Sequence, residues 1–312
     1  DASGNVAVAG YLKGSTTFYS TDGSSSAFTT SSNSYSQIFV AKFNSLGVLQ
    51  WFKTAGSSGN YHCEGKGVAF DATGNVFFTG LFKGSVAFDG NSLASISNTD
   101  DIFIAKLSST GVYTWIKTAG GTSNDEAGRR LVCDNSNNVY LFGRYSGTAS
   151  FGENTTIISY TSRGGTDGFV AKYDINGALV WVKTLGTTTD ELEGGIAYSS
   201  VTNAIFICGS YRATLTFGPG LGSNPLASVG SSPSYFNGFL AKYDLNGTIQ
   251  WSVRNGNTNS DHNYANDVSV DNLGNPYIAG TLNYDSYFYS YNSATNFYVR
   301  GVQYRDPYLA KY

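Results

Sequence analysis

Carboxylates are the side chains best placed to do chemistry in this sequence. Eight of them fall in four short stretches: Glu64; Asp125 and Glu126; Asp190, Glu191 and Glu193; Asp261 and Asp267. Converging carboxylates coordinate hard cations or accept hydrogen bonds from sugar hydroxyls. Paired about 5 to 10 Å apart, they cleave glycosidic bonds. Left apart, they are solvated groups that keep a charge-poor surface soluble. His62, beside Cys63 and Glu64, and His262, beside Asp261, supply the ligand types of a transition-metal site, as weak candidates. Serines abound, but no G-x-S-x-G elbow and no nucleophile with an identifiable base stands out. The three cysteines, Cys63, Cys133 and Cys208, form no C-x-x-C spacing. Cys133 and Cys208 lie in apolar runs and read as buried, whereas Cys63 reads as a loop thiol.

The elements that position these residues come from a repeat. DASGNVAVAG at residue 1 recurs as DATGNVFFTG at 71, DNSNNVYLFG at 134 and DNLGNPYIAG at 271, with a degenerate copy, SVTNAIFICG, at 200. Eight residues after each closing glycine stands a phenylalanine: Phe18, Phe88, Phe151, Phe217 and Phe288. A second signature, of the form IFVAKF, ends in Lys42, Lys106, Lys172, Lys242 and Lys311. Nine residues on come Trp51, Trp115, Trp181 and Trp251, and five beyond those Gly56, Gly120, Gly186 and Gly256. The repeats start near 1, 66, 129, 195 and 266.

Each copy reads as four strands: an inner one such as GVAF, then NVFFTGLFKG, DIFIAKL and VYTWIKTAG. Asp-x-x-Gly-Asn and Asp-x-Asn-Gly turns link them, with Gly or Asn where φ must be positive. Four-stranded units in series predict an all-β fold, a β-propeller of antiparallel blades whose first and last blades are incomplete. A β-solenoid is the alternative, but its coils are shorter than these units. One domain spanning 1–312 is expected, as part of a longer chain with flanking domains. The tryptophans then read as docking residues between blades, with sugar stacking as the alternative. The lysines read as partners of Asp71 and Asp134 in the first turn, or of Asp101 and Asp167 at the start of the third strand. The turns carry one carboxylate each, too few for calcium, so no cofactor is expected beyond a structural calcium ion.

Composition narrows the function. Among 312 residues there are 38 Gly, 23 Tyr and 20 Phe, while charged residues make up 13 % and the net charge is −3. No basic stripe marks a nucleic-acid surface, and no apolar run is long enough for a membrane span. The polar, charge-poor composition fits a processed, secreted protein.

The run Asp-x-x-Gly-Asn-Val, then Phe-Val-Ala-Lys-Tyr-Asp-x-Asn-Gly, then Trp resembles the bacterial β-propeller repeats called SBBP repeats, over essentially the whole chain. The hairpin AKYDINGALVW is also similar to the tryptophan-docking hairpin of quinoprotein-type propellers. The resemblance implies a propeller in a secreted or surface-anchored bacterial protein, and no common catalytic residues.

Three functions follow as expectations: a non-enzymatic adhesive or scaffolding module at the cell surface, a lectin-like propeller, or a polysaccharide hydrolase or lyase. Partners would be other surface proteins or glycans. The stretches between second and third strands read as variable loops, with Tyr35, Tyr160, Tyr235 and Tyr291 exposed for contact. The acidic crossovers are expected around the mouth of the channel.

Overall fold

The Asp-x-x-Gly-Asn turns close through bonds the sequence can make locally. The computed structural model describes residues 1–312 apart from 31–33, 58, 60, 154–155, 219–224, 230–233, 258–261, 291–296 and 302–304. In it, Asp71 Oδ1 accepts from the backbone N–H of Thr73 at 2.9 Å and of Asn75 at 3.0 Å, and Asn75 Nδ2 donates to Oδ2 at 2.8 Å. Asp1, Asp134 and Asp271 repeat this set with Asn5, Asn138 and Asn275. Gly74 sits at φ +79°, and Asn137 takes the same place at φ 60°. The left-handed region is open to glycine and tolerated by asparagine. With N–H donors on both carboxylate oxygens, these turns are hairpin locks.

The strands follow in the expected order. In the second copy Glu64–Phe70, Val76–Phe82, Asp101–Leu107 and Tyr113–Gly121 pair successively and antiparallel. The fourth copy repeats this with Leu192–Ser199, Ala204–Tyr211, Asn237–Asp244 and Ile249–Gly256. Val6–Leu12, Gln37–Phe43 and Leu49–Ser57 form the first copy. Asn263–Val270, Pro276–Leu282 and Asp306–Lys311 form the fifth. Ala127–Cys133 and Val139–Phe151 open the third. The one helical element among the described residues is the 3₁₀ turn Ile96–Asn98.

The segments after the second strands are not simple loops. Ser85–Phe88 pairs with the end of Leu49–Ser57, in the preceding copy, placing Phe88 opposite Ala55, and Asn91–Ala94 extends that sheet. Phe151 stands likewise opposite Ala119, Phe217 opposite Leu185 and Phe288 opposite Asn255. The edge of each fourth strand that faces away from the third is open along its last residues, and its backbone groups there need partners. The following copy supplies them. This explains the phenylalanine eight residues after each glycine: Phe88 and Phe151 are fully buried at these junctions.

The chain divides into two compact units, Asp1–Ser159 with Lys172–Val180 and Tyr160–Ala171 with Trp181–Tyr312. In the first, Ile38, Val40, Phe78, Phe88 and Phe103 belong to one core, which also takes in Cys63. In the second, Phe206, Cys208, Leu240, Val253 and Ile278 form another. Burying each such side chain stabilises the fold by about 1.5–3 kcal/mol. Cys63 is therefore a core residue and not a loop thiol; burial pushes its thiol pKa up to about 11.

Tryptophan and lysine join one copy to the next. Trp51 Nε1 donates to Ser109 O at 3.0 Å, Trp115 Nε1 to Ile175 O at 3.0 Å and Trp181 Nε1 to Leu245 O at 3.2 Å. Each acceptor is in the second turn of the following copy. A Cβ on the glycine of that turn would come within 2.8 Å of Trp51 (from Gly111) or of Trp115 (from Gly177). Glycine is needed there for the close approach as well as for its φ of +82°. Lys42 Nζ donates to Gly74 O at 3.2 Å and lies 4.0 Å from Asp1, and Lys106 Nζ lies 3.7 Å from Asp71. Lys311 reaches Asp271 at 3.2 Å. The first-turn aspartates, not Asp101 and Asp167, are thus the lysine partners. Lys172 lies over the Tyr140 ring and Lys242 over Phe206.

Candidate functional site

The crossovers from one copy to the next carry Asp125, Glu126, Asp190, Glu191 and both histidines. Five residues before the lysine of the third strand stand Gln37, Asp101, Asp167 and Asn237 in the first four copies. That side chain leans on the glycine which follows the tryptophan. A Cβ on Gly120 would stand 2.6 Å from Asp101 Oδ1 and 2.8 Å from Glu126 Oε2. On Gly186 it would stand 2.2 Å from Asp167 Oδ2, on Gly256 2.2 Å from Asn237 Oδ1, and on Gly56 2.6 Å from Gln37 Cδ. The repeated glycine clears a slot for one polar side chain, and the crossover brings a second to it.

In the second copy the slot holds Asp101 and Glu126, which are 2 % and 0 % exposed. Asp101 Oδ2 accepts from Ile96 N at 2.8 Å, and Glu126 Oε2 accepts from Gly121 N at 2.8 Å. Burial first, and then the neighbouring carboxylates, push Glu126 up to about 8; burial pushes Asp101 up to about 6. The third copy repeats this with Asp167 and Glu191. Thr187 Oγ1 donates to Glu191 Oε1 at 2.5 Å, and Arg163 N donates to Asp167 Oδ2 at 3.2 Å. Burial pushes Asp167 up to about 6 and Glu191 up to about 8. Asp167 Oδ1 and Glu191 Oε2 are buried and meet no donor among the described protein groups. Burial favours the protonated form of Glu191, which would supply one, because a carboxylate only accepts and a carboxylic acid also donates.

In the first and fourth copies the polar residue against the glycine is neutral, Gln37 or Asn237, and the buried Cys63 and Asn263 stand in the crossovers where Glu126 and Glu191 stand in the other two. Cys63 N donates to Ser36 O, Glu191 N to Thr166 O and Asn263 N to Phe236 O, at 3.0, 3.0 and 2.8 Å, so the crossover seats alike in these three copies. In copies one and four a histidine precedes the slot residue. His62 Nδ1 accepts from Ser36 N at 3.2 Å, beside the Tyr35 ring at 5.4 Å. His262 Nδ1 accepts from Phe236 N at 3.2 Å, beside the Tyr235 ring at 5.3 Å and stacked on Tyr264. The histidines are backbone clasps at separate crossovers, and among the described residues no group of three or more His, Cys, Asp or Glu is placed to hold a metal ion.

The remaining acids stand nearer the surface. Glu64 pairs with Lys66, and Asp125 with Arg144. Asp190 is exposed and accepts from Thr166 N at 3.1 Å. Glu193 is half-buried within Leu192–Ser199, opposite Gly209, and Asp267 is exposed within Asn263–Val270. Asp261 lies outside the described residues, as does Tyr291. Glu126 and Glu191 depart furthest from the reading of solvated loop acids: the slot draws them into the sheet edge. Tyr35, Tyr160 and Tyr235 are half-buried, not exposed, because ring contacts and the Tyr160 Oη bond to Val182 O occupy them. Sequence reasoning paired Asp101 and Asp167 with lysine and missed their acid partners. The signal was present: a polar residue five before each lysine, facing a glycine fourteen after it.

No family model matches the chain. It is 25 % identical, over its whole length, to an uncharacterized WD repeat-containing protein of Acanthamoeba polyphaga mimivirus. The match takes in 26 % of that protein, so the chain spans about a quarter of the relative's length. A solved Bacteroides caccae protein of unknown function covers 69 % of this chain at 9 % identity and a TM-score of 0.24.

Proposed function

We propose that this chain is a β-propeller with SBBP-type repeats, working as a non-enzymatic scaffolding or adhesive module at a bacterial cell surface. Successive antiparallel four-stranded copies support the propeller reading. So do the inner strands, which pack against each other: Glu64–Phe70 on Ala127–Cys133, and Leu192–Ser199 on Asn263–Val270. The similarity to a WD repeat-containing protein points the same way. The observation that carries the functional reading is where the chemistry goes. Tryptophan, lysine, turn aspartate, histidine and the buried carboxyl pairs are each taken up in bonds within a copy or to the next. A rigid frame of this kind offers surfaces to partners instead of a reaction centre.

The test is a three-way binding comparison on the purified chain, with immobilised bacterial surface proteins, a glycan array and soluble polysaccharides. Saturable binding to protein, with neither glycan retention nor release of reducing ends, is expected. Saturable glycan binding would move the assignment to a lectin, and new reducing ends would move it to a hydrolase.

A further inference from the structure

The junction between copies two and three contains a cavity of about 280 Å³, bounded by Lys117, Glu153, Tyr173, Ala178 and Leu179 among others, all within the first compact unit. Lys117 Nζ and Glu153 Oε2 pair at 2.8 Å, so the two charges on its wall neutralise each other. Tyr173 is 2 % exposed, and its Oη is buried with no hydrogen-bond partner among the described protein groups. Burial first, and then the Glu153 charge, push the phenol well above its usual pKa, so it keeps its proton and can donate. Buried hydroxyls are normally paired, and one left open on a cavity wall is satisfied by what enters the cavity.

We propose that this cavity seats a tyrosine side chain supplied by a protein partner, its hydroxyl bonded to Tyr173 Oη and its ring against Ala178 and Leu179. The preceding junction shows a phenol fitted beside the same kind of ion pair from within the chain. There the pair is Lys53 with Asp89, and the Tyr113 ring packs 5.8 Å from Phe88 and 6.3 Å from Phe78. Tyr113 stands opposite Leu107. In the third copy the two types are exchanged: the residue after the lysine is Tyr173 instead of Leu107, and the residue two before the tryptophan is Leu179 instead of Tyr113. The phenol therefore comes from the third strand, and the fourth-strand position carries the shorter side chain. The fourth copy repeats the exchange with Tyr243 and Ile249, but residues 219–224, which follow Phe217 there, lie outside the described ones. A wall without net charge disfavours an ionic ligand, and a purely aliphatic one would leave the Tyr173 hydroxyl unpaired. Tyrosine has an apolar body and a polar tip, and such residues anchor protein interfaces. The proposal rests on the scaffolding reading and names the partner's chemistry.

N-acetyl-L-tyrosinamide is the probe, titrated against the full chain by saturation-transfer NMR. Saturable binding in the millimolar range is expected, about fivefold tighter than that of N-acetyl-L-phenylalaninamide, the difference one hydrogen bond makes. Tyr173→Phe should abolish that preference while leaving Tm unchanged or raised, because its hydroxyl has no partner to lose. Leu179→Tyr gives the third copy the side chain of the second. It should fill the cavity, abolish probe binding and weaken retention by immobilised surface proteins at least about tenfold, as loss of a central aromatic anchor does. No saturable binding of the probe would overturn the proposal, as would equal binding of the two amides or a preference that survives Tyr173→Phe. A marked fall in Tm on Tyr173→Phe would overturn it by showing the hydroxyl already bonded. Binding of methyl α-D-glucopyranoside in the probe's place would overturn it in favour of a sugar site. Surface-protein retention unchanged by Leu179→Tyr would remove the assignment to a partner's tyrosine. Probe failure with surface-protein binding intact would leave the scaffolding reading standing, whereas probe binding with no surface-protein retention would overturn both and leave a site for a free phenol.

Discussion

The crossover slots of copies two and three and those of copies one and four solve one packing problem with opposite chemistry. All four set a polar side chain against a glycine. Copies two and three use two carboxyls, Asp101 with Glu126 and Asp167 with Glu191; copies one and four use neutral groups and a histidine clasp. The difference begins in loop length. Glu126 and Glu191 come six and five residues after the slot glycine, whereas Cys63 and Asn263 come seven after it. The longer crossover has room for His62 or His262 to hold the third strand by its backbone. The shorter one reaches with glutamate, and burial then favours its protonated form. The same fold thereby contains junctions with and without a buried carboxyl pair.

The largest expected effect separates the two kinds by pH. Glu126 and Glu191, pushed up to about 8, hold protons in the folded state that an unfolded glutamate, with a pKa of about 4.3, releases. Their stabilisation is complete below the unfolded value and is lost as pH rises through about 8. Urea unfolding should therefore show stability falling between about pH 5 and 8, by roughly 2–5 kcal/mol. The double variant Glu126→Gln with Glu191→Gln should flatten that slope, since amides do not titrate. A slope unchanged in the double variant would show that the pairs carry no shared proton.

Filling the slots comes next. Gly186→Ala drives a methyl group onto the buried Asp167 carboxyl, and a loss of about 2–3 kcal/mol is expected. Gly56→Ala meets the longer, more flexible Gln37, and should cost about 1 kcal/mol less. Equal losses at the two positions would erase the distinction drawn between the slots.

Removing a clasp has a smaller effect. His262→Ala leaves the Phe236 N–H without its acceptor and strips a ring from the Tyr235 and Tyr264 contacts, for an expected cost of about 1–2 kcal/mol. Last is Asp71→Ala, at about 1–2 kcal/mol, the loss of a local turn lock and of the carboxylate beside Lys106. Its pH dependence runs opposite to that of the slots. Burial raises the Asp71 pKa, but hydrogen bonds from Asn75 and Thr73 outweigh it and hold the carboxyl below its usual range. Its contribution is therefore present above the unfolded value and lost as pH falls through the depressed one. Comparing Asp71→Ala with the parent from pH 2 to 5 reads that loss directly.

Much of the fold was legible because each copy faces the same local problem. Asp71, Gly74 and Asn75 define a turn by short-range bonds alone, and Asp101–Leu107 falls on the run that sequence reading marked as a strand. The segment after the second strand was not legible as strand. Ser85–Phe88 is extended because Leu49–Ser57, in the preceding copy, offers unpaired backbone groups. The slot acids were visible as residues but not as pairs, since Asp101 and Glu126 meet only when two strands and a crossover come together.

By itself, the sequence determined the all-β class, the five copies, the turn locks and the lysine and tryptophan columns, because those depend on periodicity and on contacts repeated from copy to copy. Only the tertiary structure decided which acids are buried and which tyrosines are covered. Burial and pairing are set by what lies across space from a residue: Glu126 and Asp125 are neighbours in the chain, yet one is wholly buried and the other pairs with Arg144.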